Sequence, residues 1–201
     1  VFTHDMRGHG FTEANDAPQG VFGESNGFSL VLEDQNEVIS LIKKRLPDKP
    51  IICFGHSLGS VINLNFALRY PNQVNALACW NLGIETGFLP KASRKILALE
   101  ALFRDPKSPS LIALKLSFRA WNAKFKPNRT EFDWLSQDKK EVDLYVEDPL
   151  CGFDISIEMW RDILDGVFYA GNKNNLKNLP KELPVHIIGG ANDPCTNYGR
   201  D

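Results

Sequence analysis

Ile51-Ile52-Cys53-Phe54-Gly55-His56-Ser57-Leu58-Gly59-Ser60 is the stretch on which the reading of this chain turns. Pro50 precedes four apolar residues of strand length, a G-x-S-x-G pattern follows, and Val61, Ile62, Leu64, Phe66, Ala67 and Leu68 then crowd together as in a buried helix. Tyr70-Pro71 stops that helix. A strand that turns directly into a helix forces the residue at the turn, Ser57, into a strained backbone conformation with its side chain projecting from the sheet edge. Gly55 and Gly59 are expected to flank it because a β-carbon at either position would clash with the neighbouring strand or helix. The amide of Leu58, first in the helix, faces the same spot and would hold a developing oxyanion. Ser57 is therefore the candidate nucleophile. The competing reading is an idle serine in a strand-to-helix turn, and the apolar flanks on both sides weigh against it.

The bulk properties narrow the field. A chain of 201 residues with 43% hydrophobic and 24% charged residues is of a size for one domain, or one domain with an insertion. The net charge of −2 lacks the basic excess of a nucleic-acid-binding protein, so no nucleic-acid partner is expected. Cys53, Cys79, Cys151 and Cys195 are scattered without C-x-x-C spacing or paired histidines, which suits buried thiols in a reducing, cytoplasmic setting and implies no metal site. No apolar run is long enough to span a bilayer.

Along the chain, Val1-Phe2-Thr3 reads as the tail of a strand that leads into a polar glycine loop, Asp5-Met6-Arg7-Gly8-His9-Gly10. His9 fits a loop residue bonded to its neighbours better than a catalytic base. Ser29 to Leu46 has helical spacing, with Val31, Val38, Leu41 and Ile42 on one face and Pro47 at the end. The order strand, helix, strand, helix predicts a parallel α/β sheet. A further strand is expected over Ala76–Trp80, with Glu85 just beyond it as one possible triad acid. From 87 to 166 the strand signals fade, and helical patterns run through Lys91–Phe103, Leu111–Phe125, Lys139–Val146 and Ser156–Phe168. This is expected to be a helical insertion rich in aromatic residues, a lid over an apolar cleft. Val185–Ile188 then reads as a buried strand, and Asp193 in the loop after it is placed to orient a histidine. The alternative for Asp193 is a turn aspartate capping its own backbone.

A triad in the order nucleophile, acid, base needs a histidine after Asp193, and His4, His9, His56 and His186 all precede it. The loop expected to give a second oxyanion donor is missing upstream as well. The expectation is an interior piece of a longer enzyme, inactive alone because the catalytic histidine is absent from it.

Four segments carry a family likeness: His4–Gly10, Gly55–Ser60, Phe132–Ser136 with Asp143–Phe153, and Gly189–Pro194. Through them the chain resembles the α/β-hydrolase superfamily, and within it the lysophospholipase and monoacylglycerol lipase-like branch. The resemblance implies a parallel sheet core with helices on both faces over 1–201, a helical lid at 87–166, Ser57 as nucleophile, Asp193 as acid and Leu58 in the oxyanion hole. It implies no cofactor. The implied substrate is a small lipid-like ester such as a lysophospholipid or monoacylglycerol, with transient contact between lid and membrane surface. A prolyl-type aminopeptidase, with Glu131, Asp133 and Glu147 near a substrate amine, and a short-chain carboxylesterase are the enzymatic alternatives. A non-catalytic binding protein on the same fold is the alternative of another class.

Overall fold

In the computed structural model the elements run α1 (Gly27–Arg45), β1 (Ile52–His56), α2 (Leu58–Arg69), β2 (Ala76–Trp80), α3 (Phe88–Phe103), α4 (Leu111–Leu116), α5 (Phe118–Asn122), α6 (Lys139–Glu147), α7 (Ile157–Ala170), α8 (Lys173–Leu176) and β3 (Val185–Ile188), with three short 3-10 turns. The structure describes residues 1–200 apart from Glu13 and Glu85. Two compact units result, one of residues 25–92 and 162–201, the other of 1–24 and 93–161.

The first unit holds the sheet. Its strands are parallel in the order β1-β2-β3, and His56, Trp80 and Ile188 lie side by side at their C-terminal ends. Helix α2 is buried without interruption from Ser60 to Leu68, which is why its sequence is apolar on nearly every side. It covers the sheet face that carries Leu77 and Cys79, both fully buried. Asn65 sits within this helix without penalty because its amide donates to the carbonyls of Val61 and Gly166.

Three sequence expectations change here. On α1 the buried stripe is Phe28, Val31, Leu32 and Ile39, while Leu41 is exposed, so the core-facing arc is rotated from the expected one. Val1–Thr3 lies outside the sheet, having no ladder partner among the described residues. Strand β3 has the apolar sequence of a buried strand, yet all four of its residues are exposed, since α2 packs on β1 and β2 and no described helix packs to a comparable extent on β3. The sheet face opposite α2 also presents Ile52 and Phe54 to solvent, with the Phe54 and Trp80 rings packed edge to face at 5.0 Å.

The second unit has no strand among its described residues. Phe22, Leu97, Val142, Ile157 and Met159 form its buried core. The chain segments near Gly20, Ser110 and Ser156 are stitched by backbone bonds, with Ser156 N–H donating to Gly20 O and Ser110 N–H to Ile155 O. Phe118, Trp121, Trp134 and Trp160 form a separate aromatic cluster with ring centroids 5.1–5.6 Å apart. At that spacing the rings fill one another's van der Waals space and leave no cage between them.

Candidate active site

The turn between β1 and α2 is built by the backbone. Ser57 has φ 52° and ψ −117°, a left-handed conformation that a residue with a β-carbon adopts only under strain. Two sets of bonds hold it there. Its N–H donates to Trp80 O at 2.9 Å, tying the turn to the end of β2. Its carbonyl accepts from Ser60 N–H at 2.9 Å and from the buried Ser60 hydroxyl at 2.6 Å.

The two glycines of the motif turn out to differ. A β-carbon on Gly55 would lie 2.3 Å from Gly59 O, so the strand can meet the helix only with glycine there. A β-carbon on Gly59 would meet nothing within 4 Å, which overturns the expectation that both positions forbid a side chain. Gly59 supplies the backbone that Gly55 must avoid, and its own side faces open space.

Ser57 occupies the N-cap position of α2, where a serine hydroxyl ordinarily accepts a bond from the helix's first turn. It makes no such cap bond, so its Oγ is not engaged as a helix cap. Leu58 is the first residue of α2, and its N–H belongs to the set of first-turn donors that a helix cannot satisfy internally. The helix dipole adds partial positive charge at that end.

Asp193 lies five residues beyond the end of β3 and is half-buried. Its Oδ1 accepts from Cys195 N–H at 2.9 Å, which is the turn-capping role that the sequence left open. Its Oδ2 accepts from the Asn81 side-chain amide at 2.5 Å and from Thr196 Oγ1 at 3.1 Å. The carboxylate is thus oriented by three donors.

Sequence reasoning missed Asn81. It follows β2 directly, its N–H continues the ladder to Ile188 O at 2.6 Å, and it sits at φ 51°, a conformation asparagine tolerates better than most residues. An asparagine immediately after a strand that ends beside the elbow was the available signal. Ser57, Asn81 and Asp193 therefore occupy the C-terminal edge of one parallel sheet, where α/β folds bind ligands. Ser57 and the start of the Asp193 loop are separated by β2, about 10 Å across two strand spacings.

The other candidates lie elsewhere. Among the described residues, His56 and His186 are exposed on the strands, and Glu85 falls outside the described set. His9, in the second unit, lies between the Phe22 and Phe153 rings, at 6.1 and 5.4 Å, with Nδ1 3.2 Å from Arg7 O. Burial lowers its pKa, with the Arg7 carbonyl and the Asp5 carboxylate opposing in part. Asp133 binds its own loop, through Thr130 N–H and hydroxyl and the Arg129 N–H, and these bonds hold its pKa low. No group of three or more His, Cys, Asp or Glu among the described residues is placed to hold a metal ion.

A family model described as Hydrolase_4, Serine aminopeptidase, S33, matches residues 1–201. The monoglyceride lipase of Mus musculus is 29% identical over 204 residues, covering 99% of this chain, and that of Rattus norvegicus is 28% identical. The chain spans 58% of the length of these curated relatives. Among solved structures, a carboxyl esterase from Bacillus coagulans in complex with glycerol superposes with a TM-score of 0.85 at 22% identity, covering 98% of this chain and 63% of that one. A monoglyceride lipase from Saccharomyces cerevisiae superposes with a TM-score of 0.65 at 23% identity, covering 94% and 58%. The shared fold is the parallel α/β-hydrolase sheet with its helices.

Proposed function

This chain belongs to the Hydrolase_4 family of serine aminopeptidase (S33) type, and from that premise we propose that it is the elbow-bearing part of a serine hydrolase acting on carboxylic esters of lipid-like alcohols. The observation that carries the proposal is the conformation of Ser57: φ 52°, anchored at both backbone atoms, with its hydroxyl not engaged as a helix cap. Strain of this kind, worth on the order of 1–3 kcal/mol, persists where function requires it.

In the reaction proposed, an imidazole takes the Ser57 proton as Oγ attacks the ester carbonyl. The oxyanion rests on the Leu58 N–H and a second donor. The C–O bond to the alcohol then breaks, the alcohol takes the proton from the imidazolium, and water releases the acid from the acyl-enzyme by the same steps. Asp193, oriented by Asn81, Thr196 and Cys195, holds the imidazole. The histidine is assigned outside these 201 residues, in keeping with the 58% share of the relatives' length that the chain spans. Residues 87–166 are read as a helical lid insertion rich in apolar side chains. The four cysteines, none in a disulfide, support a cytoplasmic setting.

The names of the rodent relatives favour a monoacylglycerol or similar ester as substrate. A peptidase reading is kept by the description of the family model alone. Asp133 does not help it, since its carboxylate is already held by Thr130 and Arg129.

The test is a fluorophosphonate probe and a monoacylglycerol series on the full-length protein. Ser57 is expected to be labelled, and Ser57→Ala to lower kcat/KM by at least about four orders of magnitude. kcat/KM should climb with acyl length, by up to about fourfold per methylene at ~0.8 kcal/mol each. Residues 1–201 alone should show no ester turnover. An unlabelled Ser57 would turn the reading to a binding protein, and faster cleavage of aminoacyl anilides than of esters would turn it to a peptidase.

A further inference from the structure

Ser60 is the third residue of α2 and is fully buried. At a helix start the N-cap hydroxyl ordinarily accepts the third residue's N–H. Here that N–H donates instead to the carbonyl of the N-cap residue, Ser57, at 2.9 Å. The same oxygen accepts Val61 N–H at 3.3 Å, as in any helix, and the Ser60 hydroxyl at 2.6 Å. Three donors thus converge on one carbonyl, and the hydroxyl is the only one that a side chain supplies. Shielded from water, it cannot leave this acceptor without the cost of an unpaired polar group.

A serine that bonds a carbonyl of the preceding helical turn is common and has no function by itself: Ser117 does so to Ala113 O at 2.6 Å. Ser60 differs in the peptide that it holds. The Ser57 carbonyl and the Leu58 N–H belong to one planar trans peptide, in which C=O and N–H point in opposite directions. Fixing the carbonyl towards the helix therefore fixes the N–H away from it, and the donor can swing only if the whole plane rotates. We propose that Ser60 is a positioning residue, whose hydroxyl clamps the Ser57–Leu58 peptide plane so that the Leu58 N–H is aimed in advance at the oxyanion. The Ser60 N–H, given to the same carbonyl, is withheld from Ser57 Oγ, which stays out of the helix cap. This role rests on the hydrolase reading above, because an oxyanion donor has a task only if Ser57 attacks a carbonyl. A donor that must first rotate into place loses part of its effect to that motion. Deleting a whole oxyanion donor costs about a hundredfold to a thousandfold in kcat, so loosening one should cost less, about tenfold.

Ser60→Ala in the full-length protein tests it, since this change deletes the hydroxyl and keeps both main-chain bonds to Ser57 O. On a monoacylglycerol, kcat is expected to fall about tenfold with KM within about twofold of wild type. Ser60→Cys, a weaker donor of similar shape, should fall between the two, and it carries the test if the alanine variant does not fold. The thionoester analogue of the substrate separates aiming from a general loosening of the turn. Its sulfur is a poor acceptor and draws little from the Leu58 N–H, so its turnover should change by less than about twofold. An equal fall on ester and thionoester, or a wild-type kcat in Ser60→Ala, would overturn the positioning role and leave Ser57 as nucleophile. Failure of a fluorophosphonate to label Ser57 in the wild-type protein would remove the hydrolase reading itself, and the role of Ser60 with it.

Discussion

Around Ser57 the backbone does the positioning. Gly55 lies under the carbonyl of Gly59, Ser57 is tied to Trp80 and Ser60 by main-chain atoms, and Asn81 and Asp193 emerge from strand ends in fixed register. Between Ser93 and Arg129 side chains do it: one buried carboxylate joins two helices, Phe118 and Trp121 pack into a cluster completed by Trp134 and Trp160, and the outward surface is a mosaic of apolar and cationic groups. The first region should tolerate almost no change in shape, and its bonds from side-chain donors are few, those of Ser60 to Ser57 and of Asn81 and Thr196 to Asp193. The second should tolerate changes in shape and respond to charge and polarity.

Gly55→Ala is the harshest trial of that contrast. The added β-carbon meets main-chain atoms at 2.3 and 2.4 Å, which cannot rotate away. Overpacking against backbone is expected to cost about 3 kcal/mol or more in urea unfolding. A loss below about 1 kcal/mol would mean that the turn yields and that the backbone account is wrong.

Asn81 comes next, because it links the two halves of the candidate site. Asn81→Gly keeps the positive φ and deletes only the 2.5 Å bond to Asp193. Removing a hydrogen bond to a charged group costs about 1.5–3 kcal/mol, so kcat of the full-length protein should drop by about tenfold to a hundredfold with KM little changed. Asn81→Ala should add a stability loss that the glycine variant does not show, since alanine resists φ 51°. An effect on KM alone would remove Asn81 from any role in positioning the acid.

Gly59→Ala should act in the opposite direction from Gly55→Ala. With nothing within 4 Å and a helical backbone, the substitution is expected to raise stability by about 0.5–1 kcal/mol. Two glycines four residues apart in one motif would then differ in sign.

These pairs also mark how much was legible beforehand. The strand, the turn and the helix around Ser57 were readable because apolar spacing and glycine sterics act over a few residues: β2 falls at Ala76–Trp80 as expected, and α2 ends before Pro71. What could not be read was which glycine bears the contact, since that depends on the angle at which α2 leaves the strand. The exposure of β3 was hidden for a related reason. An apolar run reports what a strand could bury, and only the layers around it decide what it does bury. Asn81 was overlooked because its role rests on the register of β2 with β3, a contact between residues 112 positions apart. In the helical stretch α3, α6 and α7 were legible from periodicity, whereas the pattern expected over Leu111–Phe125 breaks at Ser117 into α4, α5 and a 3-10 turn, and the net charge of the whole chain averaged away the excess of basic over acidic residues between 93 and 129.

The smallest effect concerns His9, where the side-chain logic of the second unit meets a titratable group. A carbonyl can only accept, so Nδ1 carries the proton that faces Arg7 O, and the ring stays neutral between Phe22 and Phe153. Burial holds its pKa below the ordinary imidazole value of 6.5, with the Arg7 carbonyl and the Asp5 carboxylate pulling it partly back. The unfolded chain therefore binds more protons than the folded one between that lowered value and 6.5. Stability should be flat above 6.5 and decline as pH drops through the window toward the lowered value. His9→Gln keeps a donor of similar reach and does not titrate, so its urea midpoint should be flatter than wild type below 6.5 and parallel above it. His4, His56 and His186 are exposed and common to both proteins, so they cancel in the difference. If the two curves run parallel across about pH 5 to 8, His9 takes up its proton as readily in the folded as in the unfolded chain and the second unit is more open to water than its packing implies.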